Sequence, residues 1–220
     1  MCRGKSVVKW FVDNGMPLNN SFDGNLVVNK MLVFAQLISI AKDNKRLFEE
    51  DMYAFEHGVV IEDIRMEYKY KFSDFVKSIK REKYCFDKNQ LDTLELTKKI
   101  FGDLDPFILS ELTHQFKFWK EKYDYSYKDS YHHKELSIIE IDDLKHKYEE
   151  DIEKIKLLIS IEESNNDSEE FVIIDGISFY YNPSEVELDE TLMKQLKEFP
   201  AEESAYSFYI DESQGLVIYW

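Results

Sequence analysis

The chain has 220 residues, 44% hydrophobic, 33% charged and 15% aromatic, which excludes wholesale disorder and allows one full core or two small ones. Its 28 basic and 44 acidic side chains leave a net charge of −16, a poor match for a general nucleic-acid binder, whose phosphate contacts need a basic face. Cys2 and Cys85 are too few for a disulfide scaffold or a Cys-rich zinc site, and fit a reducing cytoplasm.

Residues 1–12 lack the layout of a signal peptide, since Lys5 and Lys9 break any apolar stretch. Val7, Val8, Phe11 and Val12 share one face of a short helix that Asn14-Gly15 stops. Asn25 is placed to cap a long apolar helix from Leu26 to Ala41, whose hydrophobic positions wrap most of its circumference and predict burial. Its longest apolar run, Met31 to Ala41, is about half the ~20 residues of a membrane span, so no membrane partner is expected. Phe48 to Phe55 predicts a third helix, turning at His57-Gly58. Ile61, Ile64, Tyr68 and Phe72 continue with helical spacing, and Leu91, Leu94, Leu96 and Ile100 form an amphipathic helix ending at Gly102. Asp105-Pro106 starts another, Asp as cap and Pro in the first turn. Residues 1–125 thus predict an all-α domain of about six helices.

Charge divides the chain. Residues 1–134 carry 22 basic and 21 acidic side chains, and residues 135–220 carry 6 and 23, a net of −17. The composition boundary, 126–134, is expected to be a linker. Residues 135–163 predict one acidic amphipathic helix, with Ile141, Leu144, Tyr148, Ile152, Ile155 and Ile159 on its apolar stripe. A polar tract, Glu162 to Glu170, suggests a second linker. Within 171–220 the period changes to two. Asp175-Gly176 suits a two-residue hairpin turn, Pro200 ends a short helix from Glu187 to Phe199, and a second hairpin turns across Asp211 to Gly215. The expected order is ββαββ, a small antiparallel sheet with one helix. The fold class is therefore mainly α, α+β overall.

Three stretches carry a resemblance. Asn29-Lys30-Met31-Leu32-Val33-Phe34-Ala35-Gln36 lies on the apolar helix. Ala54-Phe55-Glu56-His57-Gly58-Val59-Val60 follows, and then Leu109-Ser110-Glu111-Leu112-Thr113-His114 before Trp119. In order and spacing these resemble the Panacea domain family, the SocA-like antitoxins and phage-associated GepA-like proteins, over roughly residues 5–125. Where the family pattern has Gly-Pro-Val this chain has Gly58-Val59-Val60, and Phe55 replaces a Trp. The resemblance implies an antitoxin that neutralises a toxin by direct binding. It marks Lys30, Gln36, Phe55, His57, Gly58, Thr113, His114 and Trp119 as motif positions, structural or partner-binding. Gln36 is a polar interruption in the apolar helix, and a hydrogen bond to the His57-Gly58 turn would give it a structural role.

No zinc spacing, Walker loop, dinucleotide fingerprint or nucleophile elbow is present, so no catalytic residue, metal or cofactor is expected. His57 is read as a loop residue, and His114 with Thr113 as a cap and buried hydrogen bond. His132-His133 is read as part of a solvated linker, and His146 as surface. The Lys77 to Lys83 cluster is the one basic segment where DNA contact would be sought. Tyr180, Tyr206, Phe208, Tyr219 and Trp220 are candidate partner-binding residues, because strand alternation turns some aromatics outward.

The expected partner is a cognate protein toxin with a basic surface, bound in the cytoplasm. The alternatives are a proteolysis adaptor presenting a client to a protease, and an acidic phage protein occupying a host nucleic-acid-binding protein.

Overall fold

The computed structural model describes residues 2–166, 170–211, 213 and 215–220. The chain forms two compact units, residues 1–159 and residues 160–220. The first holds α1 (Gly4–Asp13), α2 (Phe22–Asp43), β1 (Met52–Phe55), β2 (Gly58–Ile61), α3 (Glu62–Tyr70), α4 (Phe72–Arg81), α5 (Lys88–Phe101), α6 (Pro106–His114), α7 (Lys117–Ser126), β3 (Tyr127–Lys128), β4 (Tyr131–His132), β5 (Ile138–Ile139) and α8 (Ile141–His146). Next comes α9 (Glu149–Asn166). The chain then continues through β6 (Glu170–Ile174), β7 (Ile177–Tyr181), α10 (Glu190–Glu198), β8 (Ala205–Asp211) and β9 (Gly215–Tyr219). The fold class is mainly α, α+β overall.

The central helix is α2. It starts earlier than its apolar run, because Ser21 caps it by accepting a hydrogen bond from the Gly24 N–H at 3.0 Å. Asn25 therefore lies inside the helix. Asn44 closes it in the left-handed conformation at φ 56°. By length and hydropathy α2 would also suit a membrane span, but most of its surface is buried against α5, α6, α3 and β2. The predicted end of α5 at Gly102 and start of α6 at Asp105-Pro106 hold, and the start of α5 is capped as well. Asp87 and Gln90 make a capping box, and Asp105 accepts from the Phe107 N–H at 2.8 Å with Pro106 in the first turn.

The all-α expectation for residues 1–125 fails in the segment that follows α2. Residues 52–61 form an antiparallel hairpin in place of a helix to Phe55, with Met52↔Ile61 and Phe55↔Gly58 in register. Ile138–Ile139 then pairs with Met52–Tyr53 as a third strand. The helix expected over 135–163 is consequently broken. Its β-branched start fills the open edge of β1, and helix resumes as α8 and α9. Its predicted apolar stripe nonetheless docks in cis, with Ile141, Leu144, Tyr148, Ile152, Ile155 and Ile159 all buried in the first unit's core. Asp151, fully buried, accepts from the Phe118 N–H at 3.0 Å and pairs with Lys154, fixing α9 to the start of α7. Within the segment expected to be a linker, β3 and β4 pair as a short, largely exposed hairpin, anchored by His132 bonded to the Ala54 carbonyl at 3.0 Å.

Cys2 and Cys85 are disulfide-bonded, against the expectation of two reduced thiols. A bridge pairing of Cys2 with Phe48 holds the N-terminus in place, and the segment after α4 brings Cys85 to it.

In the second unit both predicted hairpins form. Asp175 and Gly176 take φ of 53° and 87°, the left-handed pair that a two-residue turn requires. Residues 212 and 214 of the second turn, and residues 167–169 of the tract read as a linker, lie outside the described residues. The sheet is not wholly antiparallel. Its order is β6-β7-β8-β9, and the central pair β7-β8 is parallel, because α10 carries the chain back to start β8 beside the start of β7. Leu192 and Leu196 of α10 cover one sheet face, with Phe179, Tyr181, Tyr206 and Phe208 beneath them.

Candidate functional site

The motif residues of the first unit converge on the turn of the β1-β2 hairpin. Lys30 on α2 is fully buried, and its ammonium donates to the His57 carbonyl at 2.6 Å and the Val59 carbonyl at 2.9 Å. One helix turn of α6 supplies Ser110, Thr113 and His114, spaced to share a face. Ser110 Oγ donates to the same His57 carbonyl at 2.8 Å. Thr113 Oγ1 accepts from the Val59 N–H at 3.4 Å and donates to the Ser110 carbonyl at 2.7 Å. His114 Nε2 lies 3.1 Å from the Glu56 carbonyl, so that nitrogen carries the hydrogen. Trp119 Nε1 donates to the Phe55 carbonyl at 2.8 Å. Asn29 Oδ1 accepts from the Ile61 N–H at 2.9 Å. With His132 on the Ala54 carbonyl, the carbonyls of residues 54, 55, 56, 57 and 59 are each held by a side chain.

This clamp explains two residue choices. Gly58 has φ +87°, and a Cβ there would collide with Thr113 Oγ1 and lie 2.6 Å from Lys30 Nζ. Val59 stands where the resembling pattern has Pro, and its N–H is used by Thr113, a bond that Pro has no hydrogen to make. Burial lowers the Lys30 ammonium from its ordinary 10.5 to about 7. Among the described residues, it is carbonyl dipoles that meet it at hydrogen-bond distance.

Aromatic rings brace the turn from outside. His114 lies on Trp119 with ring centroids 4.1 Å apart, Trp119 stacks on Tyr123 at 5.4 Å, and Tyr123 stacks on His132 at 5.7 Å. His132 meets Phe55 edge-on at 4.9 Å. The hairpin forms one wall of a cavity of about 570 Å³. Phe22, Phe55, His57, Tyr68, Tyr123 and Tyr127 supply rings to its lining, and Arg65 and Lys69 supply cations. Phe22 and Tyr127 remain 64% and 50% exposed at this site. Arg65 is held by both oxygens of Glu62, with its guanidinium 5.3 Å from the Phe55 ring centre. Tyr68 donates to the Asn19 carbonyl at 2.6 Å, and burial pushes its hydroxyl up to about 12.

Lys30, Phe55, His57, Gly58, Thr113, His114 and Trp119 are thus brought together. Gln36 is not: its Oε1 accepts from the Leu47 and Phe48 N–H groups at 3.1 and 3.3 Å, holding the chain after α2 rather than the His57-Gly58 turn. The imidazole of His57 is exposed, and it is the backbone carbonyl that the clamp uses. His132, expected in a solvated linker, is a clamp member. Asn29 and Ser110 join the clamp from inside the motif stretches without being motif positions themselves. Their small polar side chains beside apolar neighbours are the sequence signal for such buried hydrogen bonds. Of the candidate aromatics in the second unit, Tyr206 and Phe208 are buried in its core, and Tyr206 Oη accepts from the Glu202 and Glu203 N–H groups. Tyr180 is half-buried, and Tyr219 and Trp220 are exposed. Among the described residues no three His, Cys, Asp or Glu side chains group so as to hold a metal ion.

Residues 28–120 match the family model described as Antitoxin SocA-like, Panacea domain. No curated protein and no solved structure matches the chain. The matched range runs from one residue before Asn29 to one residue beyond Trp119, and so contains every clamp residue except His132.

Proposed function

From the Panacea domain match at residues 28–120, we propose that this chain is an antitoxin that neutralises a cognate toxin by direct protein–protein binding. One observation carries the reading: the residues of the matched domain converge on a single hairpin turn and hold it rigid beside an aromatic cavity. A partner meets such a surface with little ordering cost, because the turn is already fixed by buried bonds. Exposed Phe22 and Tyr127 offer the rigid aromatic area that protein interfaces favour. The test is co-expression with candidate toxins, scored by growth and by co-purification. Growth rescue together with a stable complex supports the reading. Rescue by lowered toxin expression, with no complex formed, overturns it.

A further inference from the structure

The cavity beside the hairpin turn has a volume of about 570 Å³, within the range of small-molecule sites, about 300–1,000 Å³. Tyr68 packs its ring on Phe72 and Phe75, and the other rings of the lining form two groups. Phe22 meets His57 edge-on at 5.4 Å. Phe55, His132, Tyr123 and Tyr127 follow one another at 4.9, 5.7 and 6.1 Å. Both groups line the one cavity, and among the described residues no ring contact joins them. A planar ring that enters can stack or pack edge-on against either. Much of the polar lining is already used by the fold. Asn25 donates to the Arg65 carbonyl, Asn29 donates to Asn25, Tyr68 donates to Asn19, and His132 is bonded to Ala54. Three groups of the lining make no hydrogen bond among the described residues: the Lys69 ammonium, the His57 imidazole and Nη1 of Arg65.

We propose that this cavity binds a small planar aromatic molecule carrying an anionic group, its ring among the aromatic side chains and its anion at Lys69 and Arg65. Charge decides the occupant. Rings alone would also suit an organic cation, but a cation here would lie against an ammonium and a guanidinium. Both of those groups donate hydrogen bonds and neither accepts, so the polar end of the ligand is an acceptor. Glu56 is the one carboxylate of the lining. The Tyr123 hydroxyl is pushed up by burial and then by the charge of Glu56, which places that carboxylate on the α7 side, whereas Arg65 and Lys69 stand on α3. Glu62 pairs with Arg65 but has a second cation, Lys134, at 3.7 Å. The α3 end of the cavity is therefore cationic in a chain whose net charge is −16. Nucleoside monophosphates and aromatic carboxylates share this chemistry. The inference stands on the cavity alone and does not rest on the antitoxin reading.

The test is calorimetric titration of the full chain, without any partner protein. The probes are AMP and indoleacetate, their neutral counterparts adenosine and indoleacetamide, and the ringless anions phosphate and acetate. Wild type is expected to bind AMP or indoleacetate at least tenfold more tightly than the neutral counterpart, and to bind neither ringless anion. Binding of AMP alone assigns a nucleotide, binding of indoleacetate alone assigns a carboxylate, and binding of both supports the shared chemistry. Lys69→Gln should abolish the preference for the charged compound, and Phe22→Ala should weaken its binding at least fivefold. Both side chains are exposed and make no hydrogen bond among the described residues, so the fold should survive their loss. Lys80→Gln, exposed on α4 and outside the cavity, should bind as wild type does. If Phe22→Ala unfolds the chain, Tyr127→Ala is held to the same criterion. Failure of wild type to bind either charged compound overturns the proposal, as does equal affinity for the neutral counterparts. Unchanged binding by Lys69→Gln and Phe22→Ala places the ligand elsewhere and also overturns it. The growth assay decides the antitoxin reading separately, whichever way the titrations fall.

Discussion

Substituting Gly58 by alanine tests the clamp where it is tightest. Two costs combine. A left-handed φ of +87° penalises a residue with a Cβ by about 1–2 kcal/mol. The new Cβ also meets Thr113 Oγ1 and Lys30 Nζ, both buried and both already bonded, so neither yields without breaking a bond to the turn. Overpacking of this kind costs about 1–3 kcal/mol. The sum is about 2–5 kcal/mol, which for a unit of 159 residues lowers the melting temperature by about 5–15 °C. Gly15 is the internal control. It lies in the same unit at φ +101°, with nothing within 4 Å of an added Cβ, so Gly15→Ala should show the conformational cost alone, about 1–2 kcal/mol. The assay is thermal and urea unfolding of both full-length variants by circular dichroism. Equal destabilisation by the two substitutions would refute the close packing of Lys30 and Thr113 on the turn.

Further predictions concern single groups. Lys30 is neutral in the fold above about pH 7, while the unfolded chain keeps it protonated to about 10.5, so the unfolded state binds more protons between these values. The burial cost is therefore present in full below pH 7, and stability rises with pH across roughly 7 to 10; urea melts should show this slope in wild type and a flatter one in Lys30→Met. Asp151→Ala leaves the buried Phe118 N–H without its acceptor and should cost about 1–3 kcal/mol, whereas a surface change such as Glu153→Ala should lie within about 0.5 kcal/mol of wild type. Reduction of Cys2–Cys85, or Cys85→Ser, opens a loop with a sequence separation of 83 and should lower stability by about 2–4 kcal/mol in calorimetry.

Much of the helical frame is legible because its signals are local. Apolar spacing gives α1, α2, α3 and α5, and Asp105-Pro106 gives the start of α6. The β1-β2 hairpin escapes because Met52 to Ile61 is apolar nearly throughout, and a short buried run does not distinguish strand from helix. The break within 135–163 is invisible for a related reason: Ile138 and Ile139 fit a helical stripe, and only the open edge of β1 recruits them as a strand. At the site, the motif stretches locate the clamp residues, but not what they do. His57 draws attention as an imidazole and acts through its carbonyl. Lys30 is marked only as a motif position, and in the fold it is the buried amine that holds the turn. His132 is hidden by its polar neighbours, since its partner Ala54 lies 78 residues away. In the second unit alternation predicts that about half the aromatics face outward, but it does not say which face α10 covers. Sequence reasoning therefore selects Tyr206 and Phe208, which are core, and passes over Phe171 and Ile173, which are exposed.

The most direct measurement expresses the chain together with the product of the adjacent open reading frame and scores growth with each alone and both together. The account predicts that the neighbour arrests growth alone and that co-expression restores it with a purifiable complex of the two proteins. A neighbour that arrests growth equally with and without this chain, the two proteins purifying apart, would contradict it.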